Sequence, residues 1–298
     1  MPQQITKNKA YIQLHIAVFL FGFTAILGKL ITLEQTALVW NRLWIAVLGL
    51  IFIPGVFRGI RTISVSNLLK FSGIGVLVAL HWLTFYGSIK IGQSASVTLA
   101  CLATASLFTS ILEPVITKSK FQWIELVLGL IVIVGIYFLS GVGTQYYLAI
   151  IIGIISAFLA ALFSTLNKKY IANQNTLSVT TIELSSGFLC ISMAYPLIQT
   201  YMPQTHWMPH GDDWLWLILL GLLCTSLAFA LAINSLKVLS AFISNLSINL
   251  EPVYGILLSI WLLNEDAILN ADFYIGTTII LCAVVLHPII TRISKTKP

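Results

Sequence analysis

Ten apolar runs, each long enough to cross a bilayer, fill this chain almost from end to end. They lie near 11–32, 36–57, 69–89, 94–116, 122–140, 147–167, 177–199, 214–236, 240–263 and 272–290. A spanning helix needs roughly 20 predominantly apolar residues. The gaps are short, and the longest hydrophilic stretch is the loop Tyr201–Asp213. Hydrophobic residues make up 58% of the sequence and charged residues 9%, against roughly 25% charged in a soluble domain. Mean hydropathy is +0.96. Lipid is therefore the expected solvent. The expected fold is an all-α integral membrane protein with ten transmembrane helices. The first run is too long for a signal peptide, lacks a small-residue cleavage site and passes into further spans.

Orientation follows from the basic residues, which collect on cytoplasmic loops. With both termini in the cytoplasm, 13 of the 16 Lys and Arg residues fall inside: Lys7, Lys9, Arg58, Arg61, Lys70, Lys118, Lys120, Lys168, Lys169, Lys237, Arg292, Lys295 and Lys297. Lys29, Arg42 and Lys90 lie toward the outside. Glu34, Asp212, Asp213, Glu265, Asp266 and Asp272 fall in the outer loops. The net charge of +6 is thus a topology signal. Nucleic acid is not an expected partner, because no basic stripe with interleaved aromatics lies outside the spans.

Catalytic and cofactor motifs are missing. There is no HExxH, GxSxG, Walker A or GxGxxG, so a single-chain ATP-driven pump is excluded and no cofactor is expected. Cys101, Cys190, Cys224 and Cys282 all fall within spans, at no metal-ligand spacing. His206, His210, Asp212 and Asp213 share one loop, which reads as a solvated loop rather than a metal site.

Ten spans invite a search for a duplication. The tetrapeptide LEPV occurs twice, around Glu113 and Glu251. An offset of 147 aligns other landmarks better: Ser88 with Ser235, Lys90 with Lys237, Gly129 with Gly276. The first spans align at 139, where Leu27-Gly28-Lys29 meets Leu166-Asn167-Lys168. At 147, Glu251 pairs with Thr104 and Pro252 with Ala105, so the LEPV copies are not equivalent. Two halves follow, 1–143 and 144–298, each of five spans and hence of opposite orientation. Inverted repeats recur in transporters, with the substrate site near the midplane. Glu113 is expected at the inner mouth of span four, within snorkelling reach of the interface. Glu251 is expected halfway along span nine.

A carboxyl at mid-membrane faces a bundle interior or a wet cavity. Helical spacing stacks Ser240, Ser244, Ser247 and Glu251 on one face, with Asn245 and Asn249 on a second stripe. Pro252 removes a backbone donor there and breaks the helix. Glu251 reads either as a proton-titrating or substrate-contacting group, or as a hydrogen-bonded residue holding helices together. His81 is mid-span and titrates near physiological pH; it relays a proton, binds an anion or is a satisfied packing residue. Trp82 and Tyr86 stack on a flat substrate or pack the core. Arg42 and Glu183 lie about six residues into spans two and seven; they join helix ends or gate a vestibule. Thr98, Thr104, Asn167 and Asn234 are lesser polar candidates, and Gly129 and Gly276 allow close helix packing.

The runs "FLFGFTAILGKLI" and "WNRLWIAVL" resemble the opening of EamA-type permeases of the drug/metabolite transporter superfamily. "SLAFALAINSLKVLSAFISNLSINLEPVYGILLSIWLLNED" resembles that family's second-half signature, with Lys237, Pro252 and Glu265 at its basic, proline and acidic positions. In the first half Ala105 replaces the proline and "TKSK" the acidic close. The resemblance covers the whole chain. It implies a multi-pass carrier of the bacterial inner membrane, with a cavity lined by spans one, three, four, six, eight and nine. It also implies small-metabolite export, amino acids being a common cargo and sugar-nucleotides or phosphorylated sugars rarer ones. No dense Lys/Arg cluster sits inside the spans, which argues against a doubly charged phosphorylated cargo. Proton coupling and a homodimer are left open. The rival readings are a membrane enzyme using Glu251 and His81 as acid and base, and a non-transporting subunit or receptor, which requires a packed midplane.

Overall fold

The computed structural model describes residues 5–139, 143–201, 206–248, 250–264 and 270–295. Asn249, Glu265, Asp266 and Lys297 lie outside the described residues. Within these, every regular element is helical. In order they are α1 (Lys7–Gly22), α2 (Thr24–Leu30), α3 (Gln35–Ile51), α4 (Val56–Thr62), α5 (Val65–Gly92), α6 (Ala95–Leu102), α7 (Ala105–Thr117) and α8 (Trp123–Leu139). They continue with α9 (Tyr147–Tyr170), α10 (Thr176–Tyr201), α11 (Asp213–Gly221), a π-helical segment Leu222–Leu227, α12 (Ala228–Ser235), α13 (Ala241–Ile248), α14 (Glu251–Leu263) and α15 (Ala271–Lys295).

Among the described residues, six helical stretches are long and apolar enough to cross a membrane: Lys7–Leu30, Val65–Gly92, Ala95–Thr117, Thr144–Tyr170, Thr176–Tyr201 and Asp213–Ser235. A seventh is α3 with α4, if that pair, bent by 95°, counts as one span. The bend follows Gly55, whose φ of +91° favours glycine. Other apolar helices among the described residues are shorter, 10–17 residues.

The shortness of some helices has a local cause. The apolar runs near 11–32, 94–116, 214–236 and 240–263 are each interrupted near their middle. Hydroxyl side chains take up the backbone carbonyls at three interruptions. Thr24 donates to Phe21 O at 2.7 Å, and Thr104 to Cys101 O at 2.8 Å. Thr225 and Ser226 donate to Leu220 O and Gly221 O at 2.6 and 3.0 Å within the π-helical turn. The fourth interruption precedes Pro252, which lies in the first turn of α14, where no intrahelical donor is needed. Irregular backbone at this depth is tolerated only inside protein or against a cavity.

The broken helices correspond in length. α6 and α13 each have 8 residues, and α7 and α14 each have 13. α7 and α14 both end on a left-handed residue, Lys118 and Asn264, so the offset is 264 − 118 = 146. This differs by one from the 147 that the earlier landmarks give. The connection preceding the broken helix is 93–94 before α6 and 236–240 before α13. Landmarks before that connection therefore do not fix the register after it. By helix ends, Glu251 matches Ala105 and Pro252 matches Ser106.

Packing puts α5 against α9 and α10, α3 against α10 and α11, and α8 against α15. α1 lies against α12 and α14, and α7 against α8, α9 and α13. α5 approaches α10 so closely that a Cβ on Gly75 would collide with the Glu183 backbone. Gly129 plays the same part between α8 and Leu107 of α7.

Candidate functional site

The interruptions gather around one cavity of about 80 Å³. Phe21 and Thr24 flank the first, Leu102 and Ala105 the second, Phe229 follows the π-helical turn, and Ile248 and Glu251 flank the last. His81, Trp82 and Phe85 of α5 and Ala160, Phe163, Ser164 and Asn167 of α9 complete most of the wall. Residues from spans one, three, four, six, eight and nine thus line it, and Arg42 enters from α3.

Arg42 is buried, and its fork is fixed by neutral partners from two directions. Nε donates to Thr225 Oγ1 at 2.6 Å, Nη1 to Tyr86 Oη at 2.9 Å and Nη2 to Cys224 O at 3.4 Å. The guanidinium carbon lies 3.8 Å from the centre of the Trp82 ring. Desolvated cation–π contacts contribute on the order of 2 kcal/mol. The π-helical turn thus serves Arg42, supplying both a hydroxyl and an exposed carbonyl. None of these bonds neutralises the charge. The carboxyl facing the same cavity is Glu251, also buried, whose Oε1 accepts from Thr24 Oγ1 at 3.4 Å.

His81 is oriented by α9. Its Nδ1 lies 2.9 Å from both Ser156 O and Ser156 Oγ, and the Ser156 hydroxyl is 3.1 Å from His81 O. Phe85 and Phe163 flank the ring. Ser156 sets the tautomer and ring plane, and Nε2 makes no hydrogen bond among the described residues.

A polar floor closes one end. Asn245 Nδ2 donates to Thr109 Oγ1 at 2.7 Å and Ser164 Oγ at 2.8 Å, tying α13 to α7 and α9. Asn167 donates to Glu183 Oε2 at 3.2 Å. Glu183 stands behind the wall rather than in it, and its Oε1 and the Asn167 Oδ1 are buried without a partner among the described residues.

Both ends of the bundle carry latches. Glu113 accepts from the backbone N–H of Ala241 at 3.0 Å and of Phe242 at 2.6 Å, capping α13 from α7. It is buried, so it does not snorkel. The free N–H groups at a helix start attract a carboxylate more strongly than the interface does. Lys168 donates to Leu236 O at 2.9 Å, at the end of α12. Toward the opposite end, Lys90 donates to Ile31 O at 2.5 Å, at the end of α2. There Asp213 also accepts from Thr32 N at 2.8 Å and Thr32 Oγ1 at 2.7 Å.

Of the residues singled out from sequence, Glu251, His81, Trp82, Arg42, Ser244 and Asn245 line the cavity. Tyr86 stands behind Arg42 as a hydrogen-bond partner. Thr98 pairs instead with Ser88 at 2.7 Å, and Thr104 bonds its own turn. Ser247 is half-buried and is not among the lining residues. Sequence reasoning missed Ser156 and Thr225, and the bonds that Glu113 and Asp213 make. A carboxylate next to a proline at a helix end was the available sign for Glu113; the others carry no signal beyond polarity in an apolar run.

A bundle of apolar helices, broken around a buried cavity that holds one guanidinium and one carboxyl, is the architecture of a multi-pass membrane transporter. The chain belongs to the EamA-like transporter family, whose model matches it twice, over residues 8–141 and 147–287. That family lies in the drug/metabolite transporter superfamily, and in bacteria such a protein resides in the inner membrane. An "Uncharacterized transporter YxxF" of Bacillus subtilis (strain 168) is 23% identical over 264 residues, 85% of this chain and 81% of that protein. A solved chain described only as "Crystal structure of protein" superposes with a TM-score of 0.72 at 16% identity, over 98% of this chain and 100% of the other. That likeness concerns the fold alone.

Proposed function

We propose that the protein is a secondary active exporter of small zwitterionic metabolites, amino acids among them, coupled to protons through Glu251. The observation that carries this reading is the pair Arg42 and Glu251, opposite in charge, buried on one cavity and bonded to neutral partners. A substrate carboxylate fits the guanidinium and an ammonium fits the carboxyl. Trp82, Phe85, Phe163 and Phe229 offer apolar surface to the remainder. A phosphorylated cargo is less well matched, since Arg42 is the one Lys or Arg in the lining. A packed midplane, which a non-transporting subunit requires, is at odds with this cavity.

Ten spans in two inverted halves, 1–143 and 144–298, with both termini cytoplasmic, complete the proposal. The two matched family segments and the paired lengths of the broken helices support it. At roughly 10–15 Å³ per water, the cavity of about 80 Å³ holds a handful of waters. Cargo enters as one half rocks against the other and widens it.

The test is transport in proteoliposomes. Amino acids should compete for transport, whereas their decarboxylated amines and N-acetylated forms should not. Equal competition by all three ends the zwitterion reading. Glu251→Gln should abolish pH-gradient-driven transport while sparing insertion. Full gradient-driven activity in that variant removes the coupling role.

A further inference from the structure

A second cavity, about 500 Å³, shares no lining residue with the central one and lies at the end of the bundle that the basic residues mark as cytoplasmic. Its polar part comes from the α9–α10 connection, through Asn173, Gln174 and Asn175, together with Lys237 beyond α12. Its apolar part is the wall of Leu227, at the end of the π-helical segment, and Ala230 and Leu231 of α12. The two parts differ in depth. α12 belongs to a membrane-crossing stretch, and Leu223 and Leu227 are each 45% exposed on its outer face. The apolar wall therefore continues onto the surface that faces acyl chains.

The polar end has unspent donors and no acid. Lys237 is half-buried, and its ammonium has no hydrogen-bond or ion-pair partner among the described residues. Burial lowers its pKa below the usual lysine range, with no carboxylate offsetting the effect. Asn175 accepts from Ser178 N at 3.0 Å through Oδ1, which leaves its amide NH₂ free to donate. No Asp or Glu is among the lining residues. The neighbouring helix α4, which contributes Thr62, also carries Arg58 and Arg61. Juxtamembrane cations of this kind attract anionic headgroups by about 1 kcal/mol each.

We propose that this groove is a binding site for an anionic phospholipid, its phosphate on Lys237 and the Asn173–Asn175 amides and one acyl chain along Leu227 and Leu231. A soluble phosphate uses the first half of the site and leaves the second idle. A lipid uses both, which is why the membrane-facing continuation of the wall selects it. The site is separate from the transport cavity and does not depend on which cargo is carried.

The experiment titrates the purified full-length protein in neutral detergent with phosphatidylglycerol, phosphatidylcholine, glycerol phosphate or inorganic phosphate, and counts bound molecules by native mass spectrometry. Phosphatidylglycerol should be retained in preference to the other three. Lys237→Gln should weaken its retention roughly five-fold, the equivalent of about 1 kcal/mol. Asn173→Asp, at an exposed position, should weaken it as well by placing a carboxylate against the phosphate. Lys70→Gln, outside the groove, should leave it unchanged. Unaltered retention in both groove variants overturns the proposal, as does equal loss in Lys70→Gln. Equal occupancy by glycerol phosphate overturns it in favour of a soluble anion site.

Discussion

Glu113 of α7 reaches across to α13 and accepts the backbone N–H of Phe242 at 2.6 Å, with Ala241 on its other oxygen at 3.0 Å. One turn earlier on α7, Thr109 takes the amide of Asn245 at 2.7 Å. Two residues one turn apart on one helix therefore hold the start of another whose Ser244 and Asn245 line the central cavity.

Removing that cap should loosen α13 at its N-terminal end. Charge-assisted hydrogen bonds are worth roughly 1.5–3 kcal/mol, so Glu113→Ala is expected to lose about that much stability. Glu113→Gln keeps an acceptor and should lose less. A cysteine placed at Ser244, in a background without Cys101, Cys190, Cys224 and Cys282, should react faster with an impermeant thiol reagent in Glu113→Ala. Unchanged reactivity means that the Glu113 bonds do not close that end.

Arg42→Lys should fail where a charge-conserving change is usually mild. Lysine reproduces neither the fork that joins Thr225, Tyr86 and Cys224 nor the flat stacking on Trp82. Transport should fall by at least about ten-fold, with the thermal midpoint reduced as the π-helical carbonyl loses its donor. Tyr86→Phe removes the acceptor of the Arg42 bond and a longer bond to Thr24 O at 3.5 Å, and should cost about 1.5–3 kcal/mol. Measured side by side in proteoliposomes and by thermal unfolding, the lysine variant should be the worse of the two on both counts.

These two residues show what the sequence carried and what it did not. Arg42 was conspicuous as a cation inside an apolar run, and Glu251 as a carboxyl at mid-span, since each violates hydrophobic patterning. Their convergence depends on four helix interruptions. Only Pro252 announced one of these, because proline alone lacks the donor. The Thr24, Thr104 and Thr225 interruptions are made by hydroxyls that occur throughout helices without breaking them. That Glu113 caps α13 instead of snorkelling is hidden for a similar reason. Its partner is a set of backbone N–H groups far away in sequence, and backbone groups have no residue-type signal.

Glu183 offers a test of hydrogen-bonding need against charge. Its partner Asn167 lines the cavity, and one oxygen on each group is buried without a donor among the described residues. Glu183→Gln supplies an NH₂ to that space and should fold and transport at least as well as the parent. Glu183→Ala strands the Asn167 amide and should lose about 1–3 kcal/mol. Thermal unfolding of both variants decides it; equal loss in the glutamine form would show that the charge itself is needed.

Gly75→Leu should separate α5 from α10, because even a Cβ at that position meets the Glu183 backbone. Overpacking of this kind costs typically 1–3 kcal/mol or more. Gly73, two residues earlier on the same helix, has open space around it and should accept alanine with little change. The contrast between the two positions, read by expression and thermal midpoint, separates contact from intrinsic helix propensity.

The broken helices α6–α7 and α13–α14, each 8 residues followed by 13, match in length but are interrupted by unlike means. At Thr104 the joint is held by a hydroxyl that can exchange one carbonyl for another, so the helix there is able to straighten and bend again. At Pro252 the missing N–H can never be restored, and that joint is permanent. The two elbows therefore differ in what can relieve them: a hydroxyl rotation at one, and nothing in the backbone at the other.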